Sequence, residues 1–233
     1  MESIVSLKNV SVRYEDYMAI EGVNLEIYAD DFICIIGPNG GGKTTLIKAI
    51  LGTIPHSGEV TLSSTLFNDN KRLIGYLPQQ STFDRNFPIS VLEVVMSGLQ
   101  GDHGFTSRYN RTDKEKALQL LDRVGIADIA DRQISEISGG QMQRVLLCRA
   151  VIAEPKLLIL DEPSNFIDKR FESELYNILQ ELNKQMAIIM VSHDVNNISP
   201  AVKSIVCVNR TLHRHNTNTL SHNELREYCS INR

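Results

Sequence analysis

No apolar run in the 233-residue chain approaches the roughly 18 residues needed to cross a membrane as a helix. The opening Met1-Glu2-Ser3-Ile4 lacks the basic start and the apolar stretch of a secretory leader. The sequence therefore reads as a cytoplasmic protein that touches any membrane through a partner. A basic excess is missing too. Net charge is -4 and the isoelectric point is near 5.9, which argues against a nucleic-acid binder, since such proteins carry a basic face. Cysteine is scarce: Cys34, Cys148, Cys207 and Cys229 form no Cys-x-x-Cys pair. The first three lie in apolar stretches and read as small buried side chains in a reducing compartment. There is no internal repeat, low-complexity tract or linker.

What remains is an ordinary globular balance, 42% hydrophobic and 22% charged, in a chain long enough for one large domain or two tightly joined subdomains. From Ile4 to Tyr14 and from Ala19 to Ile27 the apolar residues alternate loosely, as in half-buried antiparallel strands. Phe32 to Ile36 is wholly apolar, the mark of a central strand covered on both faces. A glycine-rich turn follows, then a helix from Lys43 to Leu51 stopped by Gly52. Gly58 to Leu62 and Leu73 to Leu77 read as further strands. Ser90-x-x-Glu93, Thr112-x-x-Glu115 and Ser138-x-x-Gln141 have capping-box spacing ahead of helical periodicity, so the region from about Phe87 to Ala153 is expected to be mostly helical. Strands return at Lys156 to Leu160, Ala187 to Val191 and Ser204 to Val208. Helices are expected between Asp168 and Lys184 and after His193, and Ser221-x-x-Glu224 caps a last short one. The pattern is an α/β alternation with a mostly parallel sheet, N-terminal antiparallel strands and a helical insert.

Gly37-Pro38-Asn39-Gly40-Gly41-Gly42-Lys43-Thr44 fits G-x-x-x-x-G-K-[ST] directly between a strand and a helix. Triphosphate oxygens need several donors close together. Glycines let backbone N–H groups turn inward, and the helix N-terminus adds a positive dipole end. Lys43 is placed to reach the β- and γ-phosphates, Thr44 to help hold Mg²⁺, and Thr45 to support a neighbouring phosphate. In Leu157-Leu-Ile-Leu-Asp161-Glu162-Pro163, two carboxylates end a buried strand, where open α/β sheets bind ligands. Asp161 is the Mg²⁺ candidate and Glu162 the group that polarises the attacking water. Loop and acidic pair lie on opposite sides of the helical insert and are expected to meet at one sheet edge. Together they indicate a P-loop nucleotidase. An Asn-Lys-x-Asp base-reading motif is absent, which argues against a GTPase, and the glutamate directly after the aspartate favours hydrolysis over phosphoryl transfer to a small molecule.

Ile137-Ser138-Gly139-Gly140-Gln141 narrows the class. With it, nearly the whole chain resembles the nucleotide-binding subunits of ABC transporters, and Ser138-Gly139-Gly140-Gln141 is similar to that family's signature at a helix start, where free N–H groups can cap a γ-phosphate. The resemblance implies a single ATPase domain over 1–233, with a catalytic core of about 1–86 and 154–233 and a helical subdomain of about 87–153. It implies that Tyr14 stacks on adenine, although Tyr14 also suits one face of an amphipathic strand. Gln79 resembles the glutamine that contacts Mg²⁺ or the water, with Gln80 a neighbouring competitor. Asp168 resembles the aspartate of the loop through which subunits communicate, and His193 the switch histidine beside Glu162. Ile137 where Leu is commoner, and Asn165-Phe-Ile where Ala-Leu is frequent, remove no chemical group.

One chain has one phosphate loop and one signature, so the resemblance implies a homodimer in which each ATP is held by Gly37–Thr45 of one copy and Ser138–Gln141 of the other. It further implies two integral membrane permease subunits, an extracytoplasmic metal-binding protein acting indirectly, and a peripheral place on the cytoplasmic face of the membrane. The stretch from Gly75 to Val95, Gln141-Met-Gln-Arg-Val-Leu-Leu and the Pro38-Asn-Gly-Gly-Gly-Lys-Thr-Thr form of the loop are similar to zinc and manganese uptake systems, giving zinc first, manganese second and iron third. Competing readings are a soluble ATPase of the same superfamily in DNA repair or translation, the motor of an exporter, and a regulator that binds ATP without turnover. His213 and His215 alternate at strand spacing near His222 and read as polar surface rather than a metal sensor.

Overall fold

The computed structural model describes residues 3–68, 71–79, 87–99, 109–163, 169–193 and 200–216. Three buried strands form the centre: the all-apolar β3 (Phe32–Ile36) and β9 (Ala187–Val191), and β8 (Leu157–Asp161), apolar up to its terminal aspartate. Such runs suit only strands covered on both faces. With β7 (Ile74–Leu77), β10 (Ser204–Asn209) and β11 (Thr211–Asn216) they make a six-stranded sheet in the order β11-β10-β3-β9-β8-β7. Every pairing is parallel except that of β11 on β10. β9 lies between β3 and β8, so the strand preceding the glycine-rich loop and the strand ending in Asp161 are one strand apart.

The pleat sends alternate residues to two apolar layers. Phe32, Cys34 and Ile36, with Leu158, Leu160, Ile188 and Met190, pack into one core beneath the helices. Ile33 and Ile35, with Leu157, Ile159, Ile189 and Val191, face the other. The second core is closed by the helix α1 (Lys43–Ile50) and by a three-stranded antiparallel sheet, β2-β1-β4, made of β1 (Ser3–Tyr14), β2 (Tyr17–Tyr28) and β4 (Ser57–Leu62). The strand predicted over Gly58–Leu62 thus belongs to this sheet and not to the central one; its partner is β1, with Val5 opposite Leu62. A short ribbon of β5 (Phe67–Asn68) and β6 (Lys71–Arg72) precedes β7.

The first core is roofed by α2 (Val91–Met96), α3 (Arg111–Arg123), α4 (Gly139–Val151) and α5 (Lys169–Leu182). The expected capping boxes close α2 with Ser90 and Glu93 and α4 with Ser138 and Gln141. At α3 the cap differs from the expected Thr112–Glu115 pair: Asn110 and Asp113 form the box, and the helix starts before Thr112. Glu115 is engaged instead by Arg111, one turn back, at 2.7 Å, a helical i,i+4 pair. Cys34, Cys148 and Cys207 are buried and join no disulfide, and burial pushes the Cys148 thiol up to about 12. The expected helix after His193, the Ser221 cap, His222 and Cys229 lie outside the described residues.

Candidate functional site

The glycine-rich loop leaves the carboxyl end of β3 with its back against two other strands. At Gly37 (φ 153°) a side chain would collide with the Val208 carbonyl of β10; at Gly42 (φ 99°) it would meet the Ala19 carbonyl at 2.5 Å. Glycine is therefore required by close approach as well as by the left-handed turn. α1 then begins at Gly42 without a side-chain cap, which leaves its first N–H groups for a ligand. Lys43, only 7% exposed, folds its ammonium onto the loop and donates to the carbonyls of Gly37 and Pro38, each at 3.0 Å. Burial lowers its pKa, partly offset by Glu162 and Asp161.

Asp161 ends β8 and is 1% exposed. Its Oδ2 accepts from the Thr44 hydroxyl at 3.2 Å, while its Oδ1 is buried with no hydrogen-bond partner. Burial pushes this carboxyl up; Thr44 pulls against that and the Glu162 charge adds to it. A buried carboxylate oxygen lacking a partner beside a threonine hydroxyl is a hard-oxygen donor set, and it fits Mg²⁺. Glu162 follows in the left-handed region (φ 52°), its N–H donating to the Val191 carbonyl at 3.1 Å. Such a conformation costs a non-glycine residue about 1 kcal/mol or more and is typical of functional positions. Its Oε2 accepts from the Gln79 amide at 2.7 Å and lies 3.8 Å from Nδ1 of His193.

The carboxyl ends of β3, β9, β8 and β7 thus deliver the loop, His193, the acidic pair and Gln79 to one sheet edge. They border a cleft of about 600 Å³ lined by Tyr14, Asn39, Gly40, Gly42, Lys43, Thr44, Thr45, Gln79, Glu162 and His193. Gly37, Pro38 and Gly41 belong to the loop without lining the cleft, and Asp161 reaches it through the Thr44 hydroxyl. Ser138, Gly139, Gly140 and Gln141 are not among the lining residues; they sit at the start of α4, where Ser138 is exposed and its hydroxyl accepts from the Gln141 N–H at 3.2 Å. Asp168 and Gln80 lie outside the described residues.

Sequence reasoning missed Tyr17 and Ala19, which also line the cleft. Tyr17 faces Tyr14 across the β1–β2 turn and donates its hydroxyl to the Gly40 carbonyl at 2.8 Å. The two-residue gap between these tyrosines was the available signal, since a tight hairpin makes them register partners. His213 and His215 alternate on β11 as expected, and no cluster of three or more metal-ligating side chains occurs among the described residues.

A family described as ABC transporter matches residues 20–165. A Chlamydia trachomatis protein described as a probable metal transport system ATP-binding protein is 41% identical over 210 residues, 88% of each chain. A manganese transport system ATP-binding protein of Bacillus subtilis is 40% identical, over 82% of this chain and 77% of its own. A zinc uptake system ATP-binding protein of Listeria monocytogenes is 37% identical, over 91% and 85%. Among solved structures, a metal-chelate type ABC transporter in an inward-facing conformation superposes with a TM-score of 0.82 at 25% identity, covering 96% of this chain and 88% of that one. A dimeric bacterial ABC transporter cassette does so with a TM-score of 0.79 at 24% identity, covering 91% and 98%. Among the described residues no helix is long and apolar enough to cross a membrane.

Proposed function

The chain belongs to the ABC transporter family as one of its ATPases, and from that premise we propose that it powers a divalent-metal importer, with zinc the first candidate cargo and manganese the second. The observation that carries the reading is the convergence of four parallel strand ends on one cleft, with an intact loop, acidic pair, glutamine and histidine. The cargo assignment leans on the zinc and manganese systems named among the relatives, because the motor has no need to touch the ion it moves.

In this reading ATP lies along Gly37–Thr45 with its base against Tyr14. Lys43 exchanges the carbonyls of Gly37 and Pro38 for phosphate oxygens. Thr44, Asp161 and Gln79 would hold Mg²⁺, which would neutralise phosphate charge. Glu162 takes a proton from the water that attacks the γ-phosphorus as the bond to the bridging oxygen breaks, and His193 steadies Glu162. The hydrogen bond from the Gln79 amide to Oε2 of Glu162 ties the Mg²⁺ candidate to the base.

Ser138–Gln141 lies outside the chain's own cleft, which favours a homodimer in which a second copy supplies that segment to the γ-phosphate. Closure brings the reacting groups into a drier site, where charge acts more strongly. We assign about 1–86 and 154–233 to the catalytic core and about 87–153 to the helical subdomain, with permease subunits docking between them at the cytoplasmic face of the membrane. An extracytoplasmic metal-binding protein would act through those subunits, and nucleic acid has no part. Deleting the gene and measuring zinc and manganese uptake under chelation tests the proposal. Zinc uptake should fall and return with the wild type but not with Glu162→Gln. Loss of manganese uptake alone changes the cargo, and no loss of either overturns the importer.

A further inference from the structure

We propose that Tyr17, buttressed by Arg210, is a positioning residue that presets the phosphate loop for the triphosphate; this rests on the reading of the cleft as an ATP site. The loop tip is held at two consecutive carbonyls. The Tyr17 hydroxyl donates to the Gly40 carbonyl at 2.8 Å, and the Arg210 N–H donates to the Gly41 carbonyl at 3.0 Å. In a trans peptide the C=O and the following N–H point in opposite directions. Fixing the Gly40 carbonyl on Tyr17 therefore fixes the Gly41 N–H on the opposite side, where it donates to the Pro38 carbonyl at 3.0 Å. Fixing the Gly41 carbonyl likewise fixes the direction of the Gly42 N–H, at the entry to α1.

Arg210 is itself anchored. It sits at the β10–β11 turn in the left-handed region (φ 59°), between the register partners Asn209 and Thr211, and its carbonyl accepts from the Glu21 N–H at 2.8 Å. Both its backbone polar groups are thus used, which over-determines a conformation unfavourable to a residue with a Cβ. Its guanidinium lies 5.6 Å from the centre of the Tyr17 ring, within cation–π range. The result is a lip joining β2, the loop tip and the β10–β11 hairpin. Tyr17 acts through its hydroxyl on the loop, in contrast to Tyr14 across the turn, which is offered to the base by its ring.

Inorganic triphosphate separates the two roles because it has phosphates and no base. Binding of Mg·ATP and of Mg·triphosphate would be measured for the wild type, Tyr17→Phe, Tyr17→Ala and Arg210→Gly, with melting curves to verify folding. Tyr17→Phe keeps the ring and removes one hydrogen bond, so both ligands should weaken about 3- to 10-fold. The KM for ATP should rise by the same factor with kcat little changed. Arg210→Gly suits the backbone angle, keeps the N–H and should weaken both ligands about 2-fold. The inference is overturned if Tyr17→Phe binds both ligands as the wild type does. It is also overturned if only Tyr17→Ala loses affinity, and only for ATP, because Tyr17 would then serve the base. A folded wild type that binds neither ligand removes the reading of the cleft itself.

Discussion

Asp161→Asn should make the nucleotide-free protein more stable while abolishing its ATPase activity. Asp161 is almost completely buried, and one of its two carboxylate oxygens has no partner. Leaving a buried polar group unsatisfied costs about 1–3 kcal/mol, and more for a charged one. Asparagine keeps the shape and an oxygen for Thr44 but removes the desolvated charge, while its amide becomes a new buried donor. The net gain is then on the order of 1–2 kcal/mol. For a protein of this size that corresponds to a rise in melting temperature of about 2–8 °C. The pH dependence has a definite sign. Burial raises the folded-state pKa of Asp161 above its ordinary 3.8, so the wild type loses stability as pH rises from 3.8 through the folded value and is level above it. The gap between variant and wild type should therefore be full above the folded-state pKa and shrink as pH is lowered toward 3.8. Saturating Mg·ATP should reverse the order, because only the wild type gains the full binding free energy, about 2.7 kcal/mol at a ligand concentration of 100 Kd. Thermal melts with and without Mg·ATP provide the assay. An asparagine variant that melts at or below the wild-type temperature without nucleotide at pH 7 refutes the reasoning.

Gly41→Ala should weaken ATP binding by about tenfold or more, because the added Cβ would lie 2.8 Å from the Val208 carbonyl and 3.0 Å from that of Pro38, and both neighbours are backbone; nucleotide titration of the folded variant checks it. Gly139→Asp places a negative charge where a second copy would present N–H groups to the γ-phosphate. It should leave ATP binding to the single chain within about 3-fold while abolishing turnover and ATP-dependent dimers in light scattering, since it opposes anion binding at a helix start.

The parts of the site that read directly from the sequence are those whose chemistry demands contiguous residues. The loop from Gly37 to Thr44, the Asp161–Glu162 pair and the boxes at Ser90 and Ser138 each carry their geometry in local spacing, and the buried β3 and β9 announce themselves by lacking any polar residue. The order of strands does not read that way. That β9 lies between β3 and β8, or that Gly58–Leu62 joins β1 rather than the central sheet, depends on which apolar faces meet after long crossovers. The cap of α3 does not read uniquely because Asn110–Asp113 and Thr112–Glu115 both have the spacing; in the structure Asn110 and Asp113 form the box and Glu115 pairs with Arg111. The link from Tyr17 and Arg210 to the loop does not read from the sequence for a different reason: it runs through backbone carbonyls of the loop, from two hairpins far apart in sequence. The need for glycine at 37 was legible as a motif, whereas its cause, the Val208 carbonyl, was not.

Phosphate release by Glu162→Gln under saturating Mg·ATP, with bound ATP quantified in the same sample, tests the central claim most directly. Glutamine keeps the size of the side chain but cannot take a proton from water, so turnover should fall by about 10²- to 10⁴-fold while ATP stays bound to a folded protein. Turnover near the wild-type rate would contradict the assignment of Glu162 as the base and the account of the cleft built on it.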